Sequence, residues 1–259
     1  RTADLPDGRD FEEQQVAPLL HLVQPFIDRT LGLVASDFDL STEWVRNFFA
    51  SGESALANFI TDALVTQCHA KGLVVDIVVV DASLVRIGLP IGQLTYGDLF
   101  QMMPYADTLY LRRMTGRQIL ALVQDNALRV DRPGDPHTDR GFLHFSSAVR
   151  YTIELASKRR DGRARAITLN GRLIEDCLDS EFLIASGSFL RGVAATWERY
   201  ASRELALSLY QIDEIPYEDS HLSVRDLMVN YIAEHGSVEP ASGARRDGRV
   251  RVLQQQKES

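Results

Sequence analysis

Apolar positions along this chain change spacing several times, and the changes mark its elements. From Glu53 to Val65, Leu56, Phe59, Ile60, Ala63 and Leu64 recur at three- and four-residue steps, the repeat of one helix face. Glu53 and Ser54 open that stretch, where acceptors suit unsatisfied backbone N–H groups. An apolar run follows, Leu73 to Val80, interrupted only by Asp76, the pattern of a buried strand. It exits into a polar turn, Asp81-Ala82-Ser83-Leu84-Val85-Arg86. Polarity returns over Leu94 to Phe100, and Met103-Pro104-Tyr105 comes next. A buried strand that delivers an Asp, a Ser and an Arg at its exit, with an aromatic beyond, has the layout of a ligand platform.

The flanking segments are read the same way. Residues 1–12 are charged and turn-rich, a ragged lead-in. From Glu13 to Leu31, the apolar residues Val16, Leu19, Leu20, Leu22, Val23, Phe26 and Ile27 predict an amphipathic helix, with a kink or break at Pro25. A short strand is expected over Gly32 to Ala35 and Phe38 to Leu40. Thr115-Gly116 ahead of Ile119, Leu120, Leu122, Val123 and Ala127 predicts a helix to about Arg129. Val130 to Arg140 is loop by composition. Strands are predicted at Phe142–Ser146, Val149–Leu155, Ala166–Leu169 and Phe182–Ser186, with a hairpin turn at Asn170-Gly171. Phe189 to Tyr200 reads as a loop leading into a helix. Val224–His235 closes as a helix and Arg249–Leu253 as a strand.

Composition narrows the classes. With 259 residues, 45% of them hydrophobic, the chain can bury a large core. A formal charge of −8 with dispersed basic residues argues against a nucleic-acid surface. No apolar stretch approaches the ~20 residues that span a bilayer. Cys68 and Cys177 permit one bridge at most, and two buried thiols is the reading such residues favour. The chain begins at Arg with no visible signal peptide, as expected of a processed form or an excised piece.

Three stretches together resemble a known family. Glu53-Ser54-Ala55-Leu56-Ala57-Asn58-Phe59-Ile60-Thr61-Asp62-Ala63 looks like the E-S/T-x-L-G-N-L-I-x-D-A segment of the 5'-nucleotidase C-terminal domain. The turn Asp81 to Arg86 stands where that family has N-G-G-G-I-R, and Leu94 to Asp107 is similar to its I-T-x-G-D-L-x-x-x-L-P-F-x-N pattern. The likeness runs in order from about Trp44 to Val252. It implies an α/β fold of layered α/β/β/α type, mixed sheets flanked by helices. It also implies a lead-in and linker helix over residues 1–40, and a recognition domain over residues 41–259.

What the resemblance implies for function is the grip on a substrate. In this family the C-terminal domain stacks a nucleotide's base between two aromatic rings, while other side chains reach ribose and phosphate. By position the rings fall on Tyr105 and Phe189, the turn Arg on Arg86 and the turn Asn on Asp81. The departures are Ala82, Ser83 and Leu84 for the turn glycines, Val193, Ala194 and Ala195 for G-G-D, and Ala55 where many members carry an Arg. The expected partner is a nucleotide or nucleoside-like small molecule, with a metallophosphatase domain or subunit beside it. Divalent metals such as Zn or Mn are expected in that other domain and no cofactor in this chain. The D-x-H, G-D-x-x and G-N-H-D/E ligand strings are missing, and the six histidines are scattered. Asp135, His137 and Asp139 read as a solvated loop. The family mostly works in the periplasm or outside the cell.

Each residue also has a plainer reading. Arg86 pairs with Asp81 or Asp98, Tyr105 packs as a loop aromatic, Phe189 lies in a core, and Asn58 and Asp62 hold neighbouring loops. At the level of the whole chain, the second reading is a non-catalytic binding or assembly protein with an altered cleft.

Overall fold

The computed structural model of the chain describes residues 11–35, 39–132, 141–155, 162–187 and 215–254. In order, the elements are α1 (Ala17–Ile27), β1 (Thr30–Val34), α2 (Thr42–Phe48), α3 (Ala55–Ala70), β2 (Ile77–Asp81), β3 (Gly92–Thr95), α4 (Tyr96–Met102), β4 (Thr108–Thr115), α5 (Gly116–Ala127), β5 (Leu143–Phe145), β6 (Val149–Leu155), β7 (Arg163–Leu169), β8 (Arg172–Leu173), β9 (Glu181–Ser186), β10 (Tyr217–Ser223), α6 (Val224–His235), β11 (Ser237–Val238) and β12 (Val250–Gln254). They build sheets of order β11-β1-β3, β10-β4-β9-β2-β5 and β12-β6-β7-β8. All three are mixed: β2 runs parallel to β9 but antiparallel to β5, β1 parallel to β11, and β12 parallel to β6. The layered α/β expectation is met.

Strand β2 sits where the interior divides. All five of its residues are buried, as its unbroken apolar run requires. Val78 and Val80 join one core with Leu56, Phe59, Ile60 and Leu64 of α3 and Met228 and Ile232 of α6. Ile77 and Val79 join the other, with Ile119 and Val123 of α5 and Val149 and Ile153 of β6. Two helices thus cover one face of the five-stranded sheet, while α5 and the four-stranded sheet cover the other. Cys68 and Cys177 are free thiols buried in separate cores, so they form no bridge, and burial pushes the Cys68 thiol up to about 11.

Local chemistry explains the boundaries. Ser54 caps α3 by accepting from Ala57 N, and Ser223 caps α6 through Asp226 N. Thr95 with Asp98, and Thr115 with Gln118, form reciprocal capping boxes at α4 and α5. Asn170 and Gly171 take φ of 50° and 78°, the left-handed pair that a tight β7–β8 hairpin demands. The first helix differs from expectation. A π-helical turn, Glu12–Val16, precedes α1, and Pro25 lies inside the helix without ending it. Among the described residues no helix is long and apolar enough to cross a membrane.

Charge closes the fold at one seam. Arg249, 3% exposed, forks onto Asp62 at 3.1 and 2.6 Å and onto Asp247 at 3.1 and 2.9 Å. Its Nη1 also reaches the Phe145 carbonyl at 3.3 Å. Glu53 accepts from Asn58 Nδ2 at 2.8 Å and from the backbone of Asp247 and Gly248 at 2.6 and 3.0 Å. The segment before β12 is thereby held to α3 and β5. Asn58 and Asp62 are structural, as their plainer reading has it. Removing the cation strands two half-buried carboxylates. Arg249→Ala is expected to cost about 3–5 kcal/mol in urea unfolding. Arg249→Lys is expected to restore only part of that, because an ammonium cannot fork.

Candidate functional site

The exit of β2 is held from three sides. Asp81 ends the strand, and a 3-10 turn, Ala82–Leu84, follows. Oδ1 of Asp81 accepts from Ser83 N at 2.8 Å and also from Ser83 Oγ. Ala82 N donates to Phe142 O, Arg86 N to Met102 O, and Leu89 N to Leu40 O, at 2.7–2.9 Å. Gly88 is forced by closeness: a Cβ there would stand 2.1 Å from Leu40 O. The turn is thus stitched to β5, to the end of α4 and to the approach to α2.

Against this turn lies a cavity of about 230 Å³. Arg46 and Phe49 line it from α2 and its C-cap, Ser83 and Arg86 from the turn, and Asp131 and Phe142 from the chain between α5 and β5. Two arginines, one aspartate and one serine share a space walled otherwise by apolar residues and Gly141. Asp98 is taken up by Thr95 and Asp81 by Ser83, so the plainer pairing of Arg86 with either is not formed among the described residues.

The four predicted site residues fare differently. Arg86 lines the cavity. Asp81 is buried and works from behind the turn rather than from the cavity wall. Tyr105, 48% exposed, sits in the loop after α4 and does not line the cavity. Arg225 holds that loop, donating to Met103 O at 3.1 Å and Tyr105 O at 2.7 Å with its guanidinium over the Phe100 ring. Phe189 lies outside the described residues, as do Asp135, His137 and Asp139. Arg46 was missed because α2 is only seven residues long. The available signal was Ser41, whose Oγ accepts from Trp44 N as an N-cap. No group of three or more His, Cys, Asp and Glu side chains able to hold a metal occurs among the described residues.

Burial sets the electrostatics. Desolvation lifts the Asp81 carboxyl to about 6, and the charge of Asp107 adds to the rise while Ser83 opposes it. Asp107 is itself buried, and a Cβ on Gly187 would lie 2.7 Å from its Oδ2. His144 stands behind the cavity wall, its ring centroid 4.6 Å from that of Phe49 and 5.2 Å from that of Phe142. Burial pushes it down from 6.5 to about 3, a hydrogen bond to the Phe49 backbone resists, and the Arg249 charge adds to the fall. Its Nε2 has no hydrogen-bond partner among the described residues.

That histidine predicts an acid-side loss of stability. The unfolded chain binds a proton below about pH 6.5, whereas the folded chain refuses it until about pH 3. The stability His144 contributes is therefore complete above pH 6.5 and falls by about 1.4 kcal/mol per pH unit through that window. Urea unfolding at several pH values is expected to show this slope, and His144→Gln to flatten it.

Layered mixed sheets flanked by helices define the class, an α/β domain closed by a carboxyl-terminal strand. A profile of the 5'-nucleotidase, C-terminal domain matches residues 36–196, and the chain belongs to that family. It is 24% identical over 155 residues to the trifunctional nucleotide phosphoesterase protein YfkN of Bacillus subtilis, covering 59% of this chain and 10% of that protein. Among solved structures, it is similar to a 5'-nucleotidase precursor from Thermus thermophilus, with TM-score 0.69, 20% identity, 94% of this chain and 43% of that one. The NAD nucleotidase of Haemophilus influenzae gives TM-score 0.64 and 13% identity, with 95% of this chain and 42% of that one covered. The chain therefore spans a tenth of the curated relative and under half of these solved ones.

Proposed function

We propose that this chain grips a nucleotide for a 5'-nucleotidase-like phosphohydrolase whose metal centre lies in another domain or subunit. The observation that carries the reading is the convergence of Arg46 and Arg86 on one cavity at the exit of β2. Planar guanidiniums suit a phosphate because each donates two parallel charge-assisted bonds. Tyr105 and Phe189 supply the stacking surface, worth about 1–3 kcal/mol per base. Asp81 shapes the turn that presents Arg86. Residues 1–40 are the lead-in and linker, residues 41–259 the recognition domain, and the partner metallophosphatase unit brings Zn or Mn.

A second reading has its own support. Tyr105 stands half-exposed and apart from the cavity, so the ring and the arginines do not share one wall. A non-catalytic binding or assembly protein, using the cleft for another ligand, would look like this.

Calorimetry with AMP, UMP and adenosine separates the two. The nucleotide reading expects AMP to bind and adenosine to bind more weakly. Arg86→Ala and Arg46→Ala are each expected to weaken AMP about tenfold or more, and Tyr105→Ala to weaken both ligands. Phosphate release in the presence of Mn²⁺ or Zn²⁺ is expected to stay at background for this chain alone. Turnover at an enzymatic rate would overturn the division of labour, and silence with every ligand would favour the second reading.

A further inference from the structure

Ser83 lines the same cavity as Arg46 and Arg86, yet its hydroxyl proton is spent elsewhere. It is donated to Asp81 Oδ1, which also holds Ser83 N at 2.8 Å. We propose that Ser83 is a third donor to an anion in this cavity, and that the protonation state of Asp81 decides whether it can donate. The inference rests on the anion-binding reading above and adds a gate to it.

The geometry fixes the two states. With Asp81 ionised, both Ser83 hydrogens are committed to the carboxylate, and a negative charge stands directly behind the turn. With Asp81 protonated, one proton has come from solvent, and the carboxyl O–H can donate to Ser83 Oγ. The serine hydrogen is then free to rotate towards the cavity, and the charge behind it is gone. Both changes favour an anion.

Burial keeps this exchange near neutral pH, where an exposed aspartate would be ionised throughout. The charged side chain that bears on Asp81 is Asp107, from the loop before β4, and it disfavours ionisation. Across the sheet, β5 presents His144 opposite Val80, and that histidine stays neutral well below the range in question. On the cavity side stand Arg46, Arg86 and Asp131.

Sulfate is the probe, because it remains a dianion where phosphate esters change charge. Calorimetry on the whole chain at about pH 5 and pH 7.5 is expected to show sulfate binding roughly tenfold tighter at the lower pH. Asp81→Asn removes the ionisable carboxyl and the charge behind the turn, as protonation does, and keeps an acceptor for Ser83 N. It is expected to bind sulfate at pH 7.5 as the parent does at pH 5, with a flat profile. Ser83→Ala is expected to lose most of the gain at low pH. An unchanged profile in Asp81→Asn overturns the gate. The full tenfold gain in Ser83→Ala overturns the donor role, because charge alone would then explain it. Binding that ignores pH in the parent overturns this inference while sparing the anion-site reading, and no sulfate binding at either pH overturns both.

Discussion

A strand buried on both faces cannot end quietly. β2 is shared by two cores, so its side chains are committed to packing, and its chain leaves the sheet as a polar turn directly between them. Everything that gives this protein a candidate site follows from that constraint. The turn cannot move without disturbing the register of β2 with β5 and β9, or the backbone bonds to Phe142, Met102 and Leu40. A side chain on such a turn is presented in a narrow range of positions, which ligand recognition needs.

The charged seam around Arg249 serves the same end from a distance. Ion pairs at a surface contribute little, but a guanidinium 3% exposed, with every fork filled, is a different object. Its desolvation is offset by two carboxylates and a carbonyl, and those come from α3, from the segment before β12 and from β5. Glu53 adds the start of α3 to the same cluster. The seam therefore sets where α3 lies on the sheet. Phe49, which follows α2 and precedes α3, reaches the cavity and the buried His144 together.

Legibility in the sequence followed periodicity. Long runs with one period, α3, α5, α6, β2 and β6, could be read directly, because a buried stripe or a buried strand leaves a pattern no loop imitates. Short elements could not. α2 has seven residues and one buried side chain, Val45, so it carries no stripe, and Arg46 went unseen with it. A kink or break was expected at Pro25, and the helix does not end there, because a proline in an exposed helix removes one hydrogen bond without forcing the chain apart. Arg86 could be expected at the strand exit, where it lines the cavity, because a strand exit is a position that sequence reveals. That neither Asp81 nor Tyr105 is among the residues lining the cavity depends on loop closure, which periodicity does not encode.

On the proposed reading, the turn after β2 is a site changed on an unchanged scaffold. Glycines in the family pattern allow a backbone to approach a ligand with its own N–H groups. Here the turn is built from Ala82, Ser83 and Leu84, none with positive φ, and Leu84 is buried in the first core. Ser83 N is already bonded to Asp81, so this amide has no proton left to offer. What lines the cavity with polar chemistry is a set of side chains, Arg46, Arg86, Ser83 and Asp131. Recognition moved from backbone to side chains becomes more sensitive to charge and protonation, because a guanidinium or a hydroxyl can be screened, paired or released in a way a fixed amide cannot. On these physical grounds a serine with an aspartate behind it is a different device from a run of glycines, although both occupy the same turn.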